Sequence, residues 1–350
     1  MYSYYPLNDQ TIDHIQKEYS RSDLPWYLGF SGGKDSSALL KLVFIALLNL
    51  DNKPKPVTVI FCDTGVEIPV VRNLALRSLH GLRAEAKGCN VPIKVKIVHP
   101  RLNDRYFVKV IGRGYPPPSN KFRWCTDRLR IAPVKQALST LPTEHNVVLL
   151  GIRRGESLER DKTITRHSTE AEHYFRHSDS KSLIYGPLVD YTVEDVWNTL
   201  TFNPVPESLE VEPLLTLYQE TSGECPIIRD PKGAPCGKGR FGCWTCTVVR
   251  KDRAMANLVK KGHPRLTPLL NFRNWLMLIR DNPAYRCKRR RNGVAGLGPF
   301  NLDARREILA HLLEAQAASG LPLIRAEELE LIEQLWTLDE NSPAYRRIEG

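Results

Sequence analysis

The sequence predicts an α/β protein, with a parallel twisted sheet carrying helices on both faces and a cysteine-rich, mainly helical C-terminal region. Three observations carry this. Between residues 26 and 98, short apolar runs of strand length alternate with longer helical runs. Strands at that spacing form a parallel sheet through right-handed crossovers. The first strand also meets its helix at Ser31-Gly32-Gly33, a joint whose adjacent glycines permit backbone angles that other residues avoid. Beyond residue 205 the chain holds cysteines, a basic run and amphipathic helical stretches, so the predicted domains are 1–205 and 206–350.

Residues 9–19 fit one amphipathic helix. An apolar strand ending at Phe30 precedes the glycine joint, and a strongly apolar helix runs on to residue 48. A buried strand over 56–62 leads into the turn Asp63-Thr64-Gly65, followed by a helix over 69–86 and a strand over 93–98. Residues 101–119 read as irregular, with Gly and Pro concentrated at 112–119. Residues 121–130 lead into a helix ending at 138, and 146–151 form another buried strand. The polar stretch 161–182 reads as a surface loop. Thr192 is an N-cap, with Glu194 and Asp195 in the first turn of its helix. Further helices are predicted over 252–261, 269–281, 303–319 and 325–337.

The glycine joint is chemically the most informative stretch. A turn of this kind aims backbone N–H groups into one concavity at a helix start, where the helix dipole favours an anion. Lys34, Ser36 and Ser37 add charge and donors, so the expected ligand is a phosphate chain. Neither the Walker A spacing nor a dinucleotide Gly-x-Gly-x-x-Gly is present.

Composition narrows the setting. Hydrophobic residues make up 42% and charged residues 25% of 350 positions, ordinary values for a globular protein. No 18-residue uncharged apolar run and no signal-peptide pattern occur, so a cytoplasmic protein without a membrane partner is expected. The formal charge of +11 favours a polyanionic partner. In a reducing compartment the eight cysteines point to metal or redox chemistry before disulfides.

Four of those cysteines, Cys225, Cys236, Cys243 and Cys246, form C-x10-C-x6-C-x2-C in a Gly- and Pro-rich stretch. Four thiolates suit tetrahedral zinc or a [4Fe–4S] cluster, and the irregular spacing departs from the paired C-x2-C of a zinc ribbon. Cys125 stands apart, flanked by Arg123, Arg128 and Arg130, whose charges are expected to favour its thiolate.

Ser31-Gly-Gly-Lys-Asp-Ser36 resembles the PP-loop of ATP pyrophosphatases, Ser-Gly-Gly-x-Asp-Ser. The resemblance widens with Asp63-Thr64-Gly65, Arg123-Trp-Cys-Thr126, the string Gly151-x-Arg-x-x-Glu-Ser-x-x-Arg160 and Pro187-Leu-x-x-Tyr-Thr-x-x-Asp-Val-Trp197. Together these look like the phosphoadenylylsulfate (PAPS) reductase branch, over roughly residues 25 to 200, an adenine-nucleotide alpha-hydrolase-like fold. With the cysteine pattern added, the chain is similar to the sulfurtransferases of bacterial DNA phosphorothioation, a restriction-modification chemistry.

That resemblance implies ATP with Mg²⁺ at Ser31, Gly32, Gly33, Lys34, Asp35, Ser36 and Ser37 and at Asp63, Thr64 and Gly65. It implies Arg130, Arg153 and Arg160 around the anion, and Lys34, Asp35 and Cys125 as candidate catalytic residues, with Cys125 a sulfur carrier. A [4Fe–4S] cluster on Cys225, Cys236, Cys243 and Cys246 is implied, with zinc the alternative. The partners implied are DNA, a cysteine desulfurase as sulfur donor and other phosphorothioation proteins. Three other readings stay open: a tRNA thiolase, PAPS reduction itself, and a metal-stabilised DNA-binding subunit that only senses ATP. PAPS reduction lacks support from its Glu-Cys-Gly-Leu-His signature, which the sequence does not contain.

Overall fold

The structure, a computed structural model, describes residues 6–349 apart from 140–144, 157, 168, 170–172, 177–181 and 223–240. Its strands are β1 (Trp26–Phe30), β2 (Val57–Cys62), β3 (Ile93–Val98), β4 (Asn146–Leu149), β5 (Tyr174–Arg176) and β6 (Ser182–Tyr185). The helices are α1 (Pro6–Arg21), α2 (Lys34–Leu48), α3 (Pro69–Gly88), α4 (Ala132–Ser139), α5 (Leu158–His167) and α6 (Val193–Phe202). They continue with α7 (Val211–Ser222), α8 (Arg253–Lys260), α9 (Thr267–Ile279), α10 (Leu302–Ser319), α11 (Ala326–Glu340) and α12 (Pro343–Glu349).

Contacts divide the chain into two units that interleave in sequence. One comprises Met1–Cys62, Pro69–Val98 and Ala137–Arg240, the other Asp63–Ile68, His99–Gln136 and Phe241–Gly350. The division therefore follows packing and does not fall at residue 205. Residues 206–222 group with the sheet, and the segments that leave the ends of β2 and β3 group with the C-terminal helices.

In the first unit the sheet order is β3-β2-β1-β4-β6-β5, parallel throughout except for β5 against β6. Leu28 on the central β1 lies opposite Val59 of β2 and Leu149 of β4, and all three are buried. Near-continuous apolar strands of this kind belong to sheets covered on both faces. Helix α2 is buried over most of its length, including Lys41, whose ammonium donates to the carbonyls of Asn203, Pro204 and Pro206. Burial lowers that lysine to about 8, opposed by Glu85 and Glu207. Thr192 caps α6 as read from the sequence: its hydroxyl accepts from the Asp195 N–H, and the Asp195 carboxylate accepts from the Thr192 N–H.

Two segments differ from the sequence reading. The stretch 161–182 contains most of α5 and all of β5 rather than a loop alone, because Ile164, Phe175 and Val189 form a small buried cluster beneath its polar residues. In the second unit, residues 102–112 are helical turns rather than irregular chain, with Tyr106, Phe107, Val108, Val110 and Ile111 buried. Gly112 lies against α11, where a Cβ would stand 2.9 Å from the Leu335 side chain. Among the described residues, no helix is long and apolar enough to cross a membrane.

Candidate active site and cysteine loop

The phosphate loop lies where the sheet reverses its winding, β1 having β2 on one side and β4 on the other. Loops at such switch points gather ligand-binding residues from separate strands. Gly32 has φ +73°, and a Cβ there would come 2.8 Å from that of Ala75, so glycine is required for both conformation and space. Gly33 is the N-cap of α2 and brings no side-chain cap of its own. The Ser36 hydroxyl ties the loop together, donating to the Gly33 carbonyl at 3.0 Å and accepting from the Ser31 N–H at 3.2 Å. Ser37 is buried beside it in the first turn of the helix.

Lys34 donates to Asp35 at 2.7 Å, and Arg153, from the loop after β4, donates to the other oxygen of the same carboxylate. Gly151 permits this approach, since a Cβ there would lie 2.7 Å from the Asp35 carbonyl oxygen. Burial opposes the charge on Asp35, but Lys34 and Arg153 outweigh it and hold the carboxyl below its usual range. Two cations share one carboxylate, so the trio of Lys34, Asp35 and Arg153 carries a net positive charge beside a helix N-terminus. That is the electrostatic requirement for binding a polyphosphate.

One residue of this site escaped the sequence reading. Tyr218 on α7 accepts the Lys34 N–H at 3.1 Å through its hydroxyl, and its ring packs edge-on against Trp197 at 5.2 Å. The Lys34 ammonium lies 5.7 Å from the centre of the same ring. Burial, partly offset by the bond from Lys34, raises the Tyr218 phenol. Tyrosine at position 218 is separated from the loop by 184 residues and belongs to no motif, so only its Trp197 neighbour, itself in a motif, hinted at it.

Of the remaining predicted residues, Arg160 lies on α5 and its side chain is outside the described ones. Asp63, Thr64, Gly65 and Arg130 belong to the second unit. There Gly65 has φ +81° and donates to Asp63 at 3.2 Å, while His99 sits 3.6 Å from the Asp63 carboxylate. The Thr64 hydroxyl donates to Glu67 at 2.5 Å, and Glu67 pairs through its backbone with Cys243. Arg130 donates to the Cys243 sulfur at 3.8 Å.

The second unit also gathers three cysteines. Cys125, Cys243 and Cys246 are close enough that Cys246 raises the other two thiols and Cys125 raises Cys243. Burial pushes Cys243 up to about 12 despite Arg130. Burial and Cys246 also raise Cys125, against the expectation of a thiol lowered by surrounding arginines. Burial is the largest cause, and it outweighs Arg130, which lowers the thiol; Arg128 faces Asp104 and Arg123 bonds Asn120. Cys225 and Cys236 lie outside the described residues, and among the described ones no three His, Cys, Asp or Glu form a ready metal site.

The loop holding Cys243 and Cys246 is gripped through its carbonyls. Tyr106 donates to Thr245, and Arg280 donates to Thr247. Arg273, fully buried on α9, donates to Cys246 at 2.8 Å, to Arg250 at 3.0 Å and to Val249. Trp244 packs between Phe107 and Phe272. Cys243 and Cys246 are half-buried, with Arg130 on the first and Arg273 acting on the second, and those guanidinium groups would offset negative charge on the two thiolates if they served as metal ligands.

The sequence model of the phosphoadenosine phosphosulfate reductase domain matches residues 25–249. The chain belongs to that family. Its members are enzymes acting on adenine nucleotides, in keeping with the loop after β1. The chain is also similar to the uncharacterized protein MJ0066 of Methanocaldococcus jannaschii, at 24% identity over 271 residues, 77% of this chain and 44% of that protein. It thus spans less than half the length of this curated relative. A crystal structure of phosphoadenylyl-sulfate reductase from Candida auris, a phosphate complex, aligns at 14% identity and a TM-score of 0.36, covering 58% of this chain and 89% of the other.

Proposed function

We propose that the protein is a cytoplasmic ATP pyrophosphatase that acts as a sulfurtransferase on the DNA backbone. The observation that carries the reading is the phosphate loop, where Lys34, Asp35 and Arg153 converge on one net-positive site at the start of α2. ATP, with Mg²⁺ on its phosphates, would lie along Ser31, Gly32, Gly33, Lys34, Ser36 and Ser37. A non-bridging oxygen of a substrate phosphodiester attacks the α-phosphorus. The bond from that phosphorus to the bridging oxygen breaks, and pyrophosphate leaves with the electron pair. The loop N–H groups and Lys34 stabilise the charge that develops on it.

Sulfur then forms a bond to the activated phosphorus, and AMP leaves with the electrons of the broken P–O bond. A cysteine desulfurase supplies the sulfur, with Cys125 as its carrier. Transfer from a persulfide consumes two electrons from a thiol reductant, which restores the Cys125 thiol. Cys225, Cys236, Cys243 and Cys246 would hold a [4Fe–4S] cluster or zinc, which would contribute redox or structural chemistry when bound.

Two measurements test the proposal. Purified protein should release pyrophosphate and AMP from ATP, and digested host DNA should show phosphorothioate dinucleotides only when the protein is present. Absence of pyrophosphate release overturns the enzymatic reading. Thiolated nucleosides in tRNA with unmodified DNA would move the substrate to tRNA. Cys125→Ser should retain bound metal yet lose sulfur incorporation; loss of metal would make Cys125 a ligand instead.

A further inference from the structure

The second unit carries a basic hairpin that the site chemistry does not use. Residues 282–302 contain five cations, Arg286, Lys288, Arg289, Arg290 and Arg291, and no Asp or Glu. The segment folds back on itself. Arg286 pairs with Phe300 and Arg289 with Ala295 as antiparallel bridges, and the turn closes through Gly293 to the Arg290 carbonyl at 2.8 Å. Gly293 has φ +82°, as a tight reversal demands.

Its root is firmly built. The Arg286 side chain is buried and donates to the carbonyls of Arg280 and Gly298, both at 2.6 Å. The Cys287 N–H bonds Pro299 at 2.9 Å, and Phe300 bonds Gly114 at 2.7 Å. Gly298 admits no side chain, since a Cβ would fall 1.9 Å from the Arg289 carbonyl oxygen. In contrast to this root, every residue from 288 to 297 is exposed, including Val294 at 53% and Leu297 at 43%. Arg289 and Arg291 reach only backbone carbonyls, of Gly293 and Arg113, and among the described residues neither they nor Arg290 pairs with a carboxylate.

An ordered ribbon that concentrates exposed cations and excludes acids is electrostatically matched to a polymer of regularly repeated negative charge. We infer that this hairpin is the surface through which the protein holds duplex DNA, its arginines on the phosphates and its ribbon entering the major groove. The B-form major groove admits a two-stranded ribbon, and Val294 and Leu297 offer apolar contact to thymine methyl groups. The deep, narrow major groove of duplex RNA excludes such an element. The inference rests on the reading of DNA as substrate and names the surface that reading requires.

The test is equilibrium binding of the full-length protein to a duplex DNA oligonucleotide across a salt series. A duplex RNA of the same sequence serves as comparison. Arg289→Gln with Arg290→Gln removes two charges and leaves the Arg291 contact to Arg113 in place. A melting curve coincident with the parent's confirms the fold. The double variant should bind DNA of any sequence more weakly, with the slope of log affinity against log salt shallower by about 2. An unchanged slope and affinity would remove the hairpin from the interface while leaving the substrate reading intact. A parent protein that ignores DNA, or binds the RNA duplex equally well, would overturn the inference, the former together with the substrate reading. If the double variant melts early, Arg290→Gln alone should still lower the slope by about 1, and an unchanged slope there also counts against the hairpin.

Discussion

The phosphate loop and the cysteine loop solve the same problem in opposite ways. In the first, the loop closes largely on itself: Ser36 donates to the Gly33 carbonyl, Lys34 and Arg153 share Asp35, and Tyr218 takes the Lys34 backbone N–H. In the second, side chains from elsewhere hold the backbone carbonyls of residues 245–250 and leave the thiols to act. The difference follows from the ligands each could take. A polyphosphate is held mainly by N–H groups and cations already in place, so its loop can be complete before binding. A thiolate-bound metal needs sulfur atoms at fixed positions, which a loop outside regular secondary structure supplies only with an outer frame.

The largest expected effect lies in the first region. Lys34→Ala should lower pyrophosphate release by about 10²–10³-fold, the range for one electrostatic partner of a developing charge. Its melting temperature should fall only modestly, because Arg153 still pairs with Asp35 once the lysine is gone. A variant with parental turnover would show that the loop's net charge is not what binds the nucleotide.

Next comes the frame of the second region. Arg273→Met keeps the apolar stem but leaves the carbonyls of Cys246, Val249 and Arg250 without their donor. Unsatisfied buried groups cost about 1–3 kcal/mol each before relaxation, so a net loss of about 3 kcal/mol in denaturant unfolding is expected. Cys243 and Cys246 should then react faster with a thiol reagent than in the parent, while ATP turnover is less affected. Equal thiol reactivity would mean that the loop holds its shape without Arg273.

Acid should separate the regions as well. The Asp35 pKa is lowered on folding, so its stabilising contribution is full above its unfolded value and is lost as pH falls through the lower folded one. Asp35→Asn should therefore flatten the decline of stability below about pH 4. A decline as steep as the parent's would assign the acid sensitivity to other carboxylates.

Legibility followed locality. The alternation of strands and helices, the glycine joint and the Thr192 cap are each written within a few residues, and each is found in the structure. The partner of Lys34 on α7 was not legible, since one tyrosine carries no pattern until α7 folds against the loop. The same holds for Arg273, which reads as an ordinary helical arginine and is nevertheless fully buried. Cys125 reads from the sequence as a thiol in a cationic segment, but its partial burial and the neighbouring Cys246, neither legible from the flanking residues, outweigh the effect of Arg130. Residues 106–112 were misread because their glycine and proline neighbours suggested a loop, whereas packing against α11 fixes them as helical turns.

The smallest expected effect bears most directly on how complete the phosphate loop is before ligand arrives. Tyr218→Phe deletes one hydroxyl and keeps the ring against Trp197, so the change isolates the bond to the Lys34 N–H. Removing a hydrogen bond of this kind costs about 1 kcal/mol. Because that N–H opens a helix N-terminus, a phosphate oxygen can replace the phenol as its acceptor. The variant should therefore melt below the parent without nucleotide, and the gap should narrow as ATP is raised well above its dissociation constant. Paired melting curves with and without ATP and Mg²⁺ read this directly. A gap that widens with ATP would show that the hydroxyl itself binds the nucleotide, and the loop would then count as complete only with Tyr218 among its ligand groups.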